Sequence, residues 1–174
     1  MFLGSLATKK TIMEIEVVIT GGTIDKVYDP IIGALKFKDS IIPQTLRHFP
    51  IKYTFKEFML VDSLNMTPQQ RQAIVKYCCE SSADKILITH GTDTIIETAL
   101  EIEQQKLNKT IVLTGAMVPI RVEHSDGPMN LAYALGVISN LEHSTKIAIQ
   151  GQTFCPQNCQ KDQKHGLFIK KNRS

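Results

Sequence analysis

The sequence predicts an α/β fold: a doubly wound, mostly parallel sheet with helices on both faces, forming a single domain. Three observations predict it. Segments such as IEVVIT (15–20), KILIT (85–89) and TIVLT (110–114) are apolar at nearly every position, as expected of strands covered on both faces rather than wetted on one. Amphipathic stretches of helical length separate them. The strands also end, one after another, in a glycine beside a hydroxyl or an amide: TGGTID, THGTDT, TGAMVP and QGQTF.

Taken in order, the first strand is β-branched and closes at Gly21-Gly22. Residues 29–50 carry Pro30, Gly33, Pro43 and Pro50 and read as irregular. FMLV (58–61) is a short strand. TPQQRQAIVKYCCESS (67–82) opens a helix with Thr67 as N-cap, Pro68 at the first helical position and Gln70 completing a capping box. After the strand 85–89, Thr94 and Glu97 repeat that spacing at the start of a helix with Ile95, Ala99 and Ile102 on one face. Strand 110–114 ends at Gly115, a helix runs from about Pro128 to Asn140, and KIAIQ (146–150) is a strand ending at Gly151. The order of the strands in the sheet does not follow from this pattern.

The 174 residues suffice for one good-sized core and one domain spanning the chain. A net charge of +3 is too small to argue for nucleic acid, none of which is expected as a partner, and the basic end KKNRS reads as a solvated tail. No run approaches the roughly 18 apolar residues of a membrane span. In MFLGSLATKK the lysines follow the apolar residues, the reverse of a secretory signal; residues 1–13 read as a flexible extension, with Met13 an alternative start. Neither the adjacent Cys78 and Cys79 nor the Cys155/Cys159 pair has the spacing of a disulfide framework or a zinc site. All four read as reduced thiols of a cytoplasmic protein.

In an open parallel sheet, ligands bind beyond the carboxyl ends of the strands. Those ends place Thr23, Ser63, Thr92 and Asp93 around one crevice. Neither G-x-G-x-x-G nor the phosphate-loop pattern occurs, so the glycines serve sharp turns and close approach to a small ligand. His90 reads as a packed, hydrogen-bonded strand-end residue rather than a metal ligand, and no metal site is expected. What remains is hydroxyl chemistry: a threonine becomes a nucleophile only when a neighbouring base takes its proton. The competing structural reading has Thr92 and Thr94 capping the helix while Asp93 complements its dipole.

TGGTI (20–24), DSLNM (62–66), HGTDT (90–94) and TGAM…SDGPMNL (114–131) together resemble the signature segments of the bacterial-type L-asparaginases, in order and spacing. The likeness covers nearly the whole chain but only the family's amino-terminal domain, so the sequence resembles a short-chain form without a second domain. It implies Thr23 as the nucleophile, supported by Tyr28. Asp62 and Ser63 would hold the substrate carboxylate, Thr92 would be the second catalytic threonine, and Asp93 would bind the ammonium. The catalytic lysine maps to Lys161, with Lys164 the weaker match. The main chain at Thr92 and Ala116 would stabilise the oxyanion.

The implied reaction is hydrolysis of L-asparagine, or of L-glutamine, through an acyl-enzyme and with no cofactor. A homodimer or larger homo-oligomer is expected, because loss of a second domain would uncover apolar surface. Two other readings stay open: a non-catalytic asparagine- or aspartate-binding module, and the ammonia-generating subunit of a larger amidotransferase.

Overall fold

A computed structural model describes residues 13–171. Most of the extension expected over 1–13, and the last three residues of the basic tail, lie outside the described residues. The elements run β1 (Glu14–Gly21), β2 (Val27–Asp29), β3 (Ala34–Lys36), α1 (Ile42–Leu46), β4 (Lys52–Val61), α2 (Pro68–Glu80), β5 (Lys85–Thr89), α3 (Ile95–Gln104), β6 (Thr110–Thr114), α4 (Gly127–Asn140), β7 (Thr145–Ile149), β8 (Gln152–Phe154), β9 (Cys159–Asp162) and β10 (Leu167–Lys170).

The main sheet has the order β4-β1-β5-β6-β7-β8. Neighbours from β4 to β7 are parallel, and β8 turns back antiparallel to β7. The chain therefore lays β4 on one side of β1 and β5 on the other, which makes the gap beyond β1 and β5 the topological switch point. Two cores cover the sheet. On one face Val18, Ile86, Ile88, Ile111 and Leu113 pack with Ile74 and Cys78 of α2 and Ile95, Ala99 and Ile102 of α3. On the other, Val17, Ile19, Leu87 and Val112 pack with Ile42 and Leu46 of α1 and Leu131, Ala134 and Ile138 of α4. The alternation within runs that look uniformly apolar is what feeds both faces.

Three elements differ from the sequence reading. The strand expected at 58–61 begins at Lys52; its first half, KYTFKE, is largely exposed because β4, among the described residues, is an edge strand paired only with β1, so it lacks the apolar signature. The segment read as irregular contains the ribbon β2/β3 and the short helix α1. The Thr67/Gln70 capping box forms, but the one expected at Thr94/Glu97 does not. Thr94 sits at the N-cap, yet its hydroxyl donates to the Ser63 carbonyl at 3.1 Å. A tertiary hydrogen bond has taken the group that local pattern assigned to the helix.

Lysines close two helix ends. Lys109 Nζ donates to the Cys78 carbonyl at 2.7 Å and also reaches that of Ser81, and Lys85 Nζ donates to the Ile138 carbonyl at 2.6 Å. Each places a cation on carbonyls that have no partner inside the helix. All four cysteines are free thiols, Cys78 and Cys159 buried. No helix among the described residues is long and apolar enough to cross a membrane.

Candidate functional site

Two glycines let the strand ends converge at the switch point. A Cβ on Gly22 (φ +80°) would lie 2.4 Å from the Gly91 nitrogen, and one on Gly91 would lie 2.4 Å from Ser63 Oγ. The carboxyl ends of β1, β4 and β5 can touch only because both side chains are missing. The chain leaves β1 through Gly22 into a single 3-10 turn, Thr23–Asp25. It leaves β4 through another, Ser63–Asn65, whose N-cap Asp62 accepts from Leu64 N–H at 3.0 Å. It leaves β5 through His90, Gly91, Thr92 and Asp93 into α3.

Lys161, from β9, closes the group. Its amine donates to Thr92 Oγ1 at 2.9 Å and to Asp93 Oδ1 at 2.6 Å. The side chain is only 6% exposed, against 30% for Asp93. Of the two lysines read from the sequence, Lys161 is the one that reaches the crevice. Lys164 lies exposed in the β9–β10 turn, where its N–H donates to Asp162. Thr92 is 4% exposed and Ser63 2%, and Ser63 Oγ has no hydrogen-bond partner among the described residues. The Thr23 side chain is half-buried at the mouth. Tyr28 is not drawn in: it is 56% exposed on β2, opposite Leu35.

Asp62 does not face the crevice as a bare anion. Lys26 pairs with it, and that hydrogen bond holds the Asp62 carboxyl below the usual carboxylate range. This neutralises the charge beside Ser63, where an anionic group would otherwise be repelled. Asp25 anchors the other side of the same turn. Its Oδ1 accepts from Ser40 Oγ at 2.8 Å and Ile41 N–H at 2.9 Å, and burial pushes its carboxyl up. Nothing in the local pattern around Lys26 or Asp25 marked either residue. Both partners lie far along the chain.

Ala116 is fully buried in the segment after β6. Asp126 shapes that segment by accepting from Met117 N–H at 3.0 Å and Val118 N–H at 2.9 Å. Asn130, 3% exposed, donates to the Gly115 carbonyl at 2.9 Å and to Asp126 Oδ2 at 2.9 Å. Both residues fall within SDGPMNL, although no role followed from the sequence alone.

Behind the Thr92 loop, His90 is completely buried. Its Nδ1 meets the Gly91 carbonyl at 2.8 Å and its Nε2 meets Thr98 Oγ1 at 2.9 Å, while Arg71 Nε donates to that hydroxyl at 3.1 Å. Both ring nitrogens are thus engaged within the fold; among the described residues no group of three or more His, Cys, Asp or Glu is placed to hold a metal ion.

The fold and site define an open α/β domain that presents hydroxyls, a carboxylate and a buried amine at its switch point. The family model described as "Asparaginase, N-terminal" matches residues 14–167, and the chain belongs to that family. It is 35% identical over 136 residues to L-asparaginase 1 of Escherichia coli (strain K12), a match covering 72% of this chain and 40% of that protein. The solved thermostable L-asparaginase from Thermococcus kodakarensis superposes with a TM-score of 0.81 at 27% identity, covering 93% of this chain and 52% of that one. A probable cytoplasmic L-asparaginase from Campylobacter jejuni gives 0.71 at 30% identity, covering 86% of this chain and 49% of that one. The matched region is thus about half or less of these relatives' length.

Burial pushes the His90 imidazole down to about 4, against the pull of its Gly91 hydrogen bond, and the Arg71 charge adds to the shift. The folded state therefore binds fewer protons than the unfolded chain between pH 6.5 and 4. This contribution to stability is fully present above the unfolded value and is lost as pH falls through the folded one, at a cost on the order of 3 kcal/mol. Denaturant titrations at steps from pH 7 to pH 4 should show that decline, and His90→Gln should flatten it.

Proposed function

We propose that the chain hydrolyses L-asparagine to L-aspartate and ammonia, through Thr23 and an acyl-enzyme. The observation that carries this reading is the Lys161 amine donating to both Thr92 and Asp93 at the switch point. Because Thr92 Oγ1 accepts from Lys161, its own hydrogen is free to be donated outward. That is the acid half of a proton relay. Asp93 uses one oxygen for Lys161 and, being partly exposed, keeps the other for a substrate ammonium. The buried hydroxyl of Ser63 and the N–H groups of its turn take the carboxylate, beside the neutralised Asp62.

Thr23 Oγ attacks the side-chain amide carbon and its proton enters the Thr92/Lys161 relay. Main-chain N–H groups near Thr92 and Ala116 stabilise the oxyanion. The intermediate collapses with loss of ammonia, which takes a proton from the relay and leaves an aspartyl ester on Thr23. Water attacks this ester, giving up a proton to the relay, and Thr23 regains its hydrogen as aspartate departs. Glutamine is one methylene longer, so a pocket fitted to asparagine discriminates against it by only a modest factor. Tyr28 has no part in the arrangement described; a role for it requires the β2/β3 ribbon to move inward over substrate.

We also infer a homodimer or larger homo-oligomer and a cytoplasmic setting. Exposed Tyr28, Ile31, Ile32 and Leu35 give the β2/β3 ribbon an apolar surface that self-association would cover. Sedimentation should find an assembly, and a stable, active monomer would remove that inference.

Ammonia release from millimolar L-asparagine, with L-glutamine in parallel, tests the reaction. Thr23→Ala and Lys161→Ala should each lower turnover by roughly a thousandfold while the variants stay folded. If folded wild-type protein releases no ammonia from either amide, yet L-asparagine raises its Tm, the site binds without turnover.

A further inference from the structure

Lys161 does not stand on the main sheet. It is carried by β9, which among the described residues pairs only with β10, in a separate two-stranded ribbon. A ribbon of this size is marginal on its own, so the precision of the Lys161 amine depends on whatever fixes the ribbon to the rest of the fold. Apolar packing supplies part of it: Phe168, directly opposite Lys161 in the register, is buried with its ring 6.4 Å from that of Phe154. Ring packing of this kind leaves sliding and tilting weakly constrained.

The directional constraint comes from Gln150, the first residue beyond β7. Its side-chain amide grips the ribbon's main chain twice, donating through Nε2 to the Gly166 carbonyl at 2.8 Å and accepting at Oε1 from Phe168 N–H at 2.9 Å. Gln150 is held in turn by Asn130, whose Oδ1 accepts from Gln150 N–H at 2.9 Å. The same Asn130 amide donates to Gly115 and Asp126. Gln150 also adopts φ +53°, a left-handed conformation that costs energy for a residue with a side chain and persists where the surroundings over-determine it.

We infer that Gln150 is a positioning residue for Lys161. It clamps the β9/β10 ribbon beside its amine-bearing position. Through Asn130 it ties that ribbon to the Gly115–Val118 segment, whose Met117 side chain lies against Gly166. The inference rests on the proposed catalytic use of Lys161 only for its kinetic consequence. The clamp itself has a readout that needs no turnover.

Gln150→Gly is the variant of choice, because glycine accepts the left-handed backbone without strain and only the amide is lost. Two hydrogen bonds of ordinary strength correspond to roughly a 30-fold loss in kcat, with KM within about twofold. In a Lys161→Ala background the same substitution should change kcat by less than about twofold, since the group it positions is gone. An equal loss in both backgrounds, or none in the first, overturns the inference. In parallel, brief acetylation followed by peptide mass mapping should show Lys161 modified roughly tenfold faster in Gln150→Gly than in wild type, as the ribbon opens more often. Exposed Lys164 serves as the unchanged internal control. Unchanged Lys161 reactivity overturns the inference even where turnover falls. If wild type shows no turnover but Lys161 alone becomes more reactive, the clamp stands and the hydrolase reading fails.

Discussion

The site depends on backbone crowding at the switch point. Gly22 lies against Gly91, and Gly91 against Ser63, at separations that no Cβ tolerates. This brings the Thr23 turn, the Ser63 turn and the Thr92 loop into one crevice, although they come from β1, β4 and β5. The sheet order makes these strands neighbours; the glycines let their ends close to within reach of a molecule the size of an amino acid. The Thr23 turn, Ser63 and the Thr92 loop are placed by backbone that could not be there with larger residues.

Convergence of this kind leaves polar groups in places where water cannot reach them, and each needs a partner. The fold answers with long-range networks. Arg71, Thr98 and His90 brace the Thr92 loop from behind. Asp126 and Asn130 shape the segment at Ala116. Lys26 and Asp25 hold the Thr23 turn from two sides, toward Asp62 and toward the start of α1. The catalytic candidates are few and close together, while the residues that aim them come from most of the chain. That arrangement suits a site whose chemistry is proton transfer between oxygen and nitrogen atoms about 3 Å apart.

The strands buried on both faces were legible because β-branched apolar runs ending in glycine have a local signature, and the Thr67 capping box was legible for the same reason. Strand order was not, since nothing local to β1 says that β4 and β5 lie on either side of it. The first half of β4 was missed because an exposed edge has no apolar alternation to read. Thr94 was misread because its hydroxyl bonds to Ser63, thirty-one residues away, instead of to its own helix. Lys161 lies in CQKDQKHGLF, which has no periodicity to mark it, and only family resemblance pointed there; its amine nonetheless lies on Thr92 and Asp93. Tyr28 comes from the same resemblance, and its side chain is exposed on β2. The sequence makes Gln150 the last residue of a strand; its left-handed turn and its grip on the ribbon emerge only in three dimensions.

The proposed reaction passes through a covalent aspartyl ester on Thr23, with Thr92 and Lys161 moving protons into and out of it. Rapid acid quench of the reaction with L-asparagine, followed by peptide mass mapping, tests it most directly. One aspartyl group is expected on the peptide carrying Thr23, and none on that peptide in Thr23→Ala. Steady turnover with no adduct at Thr23, or with the aspartyl group on a different hydroxyl, would contradict it.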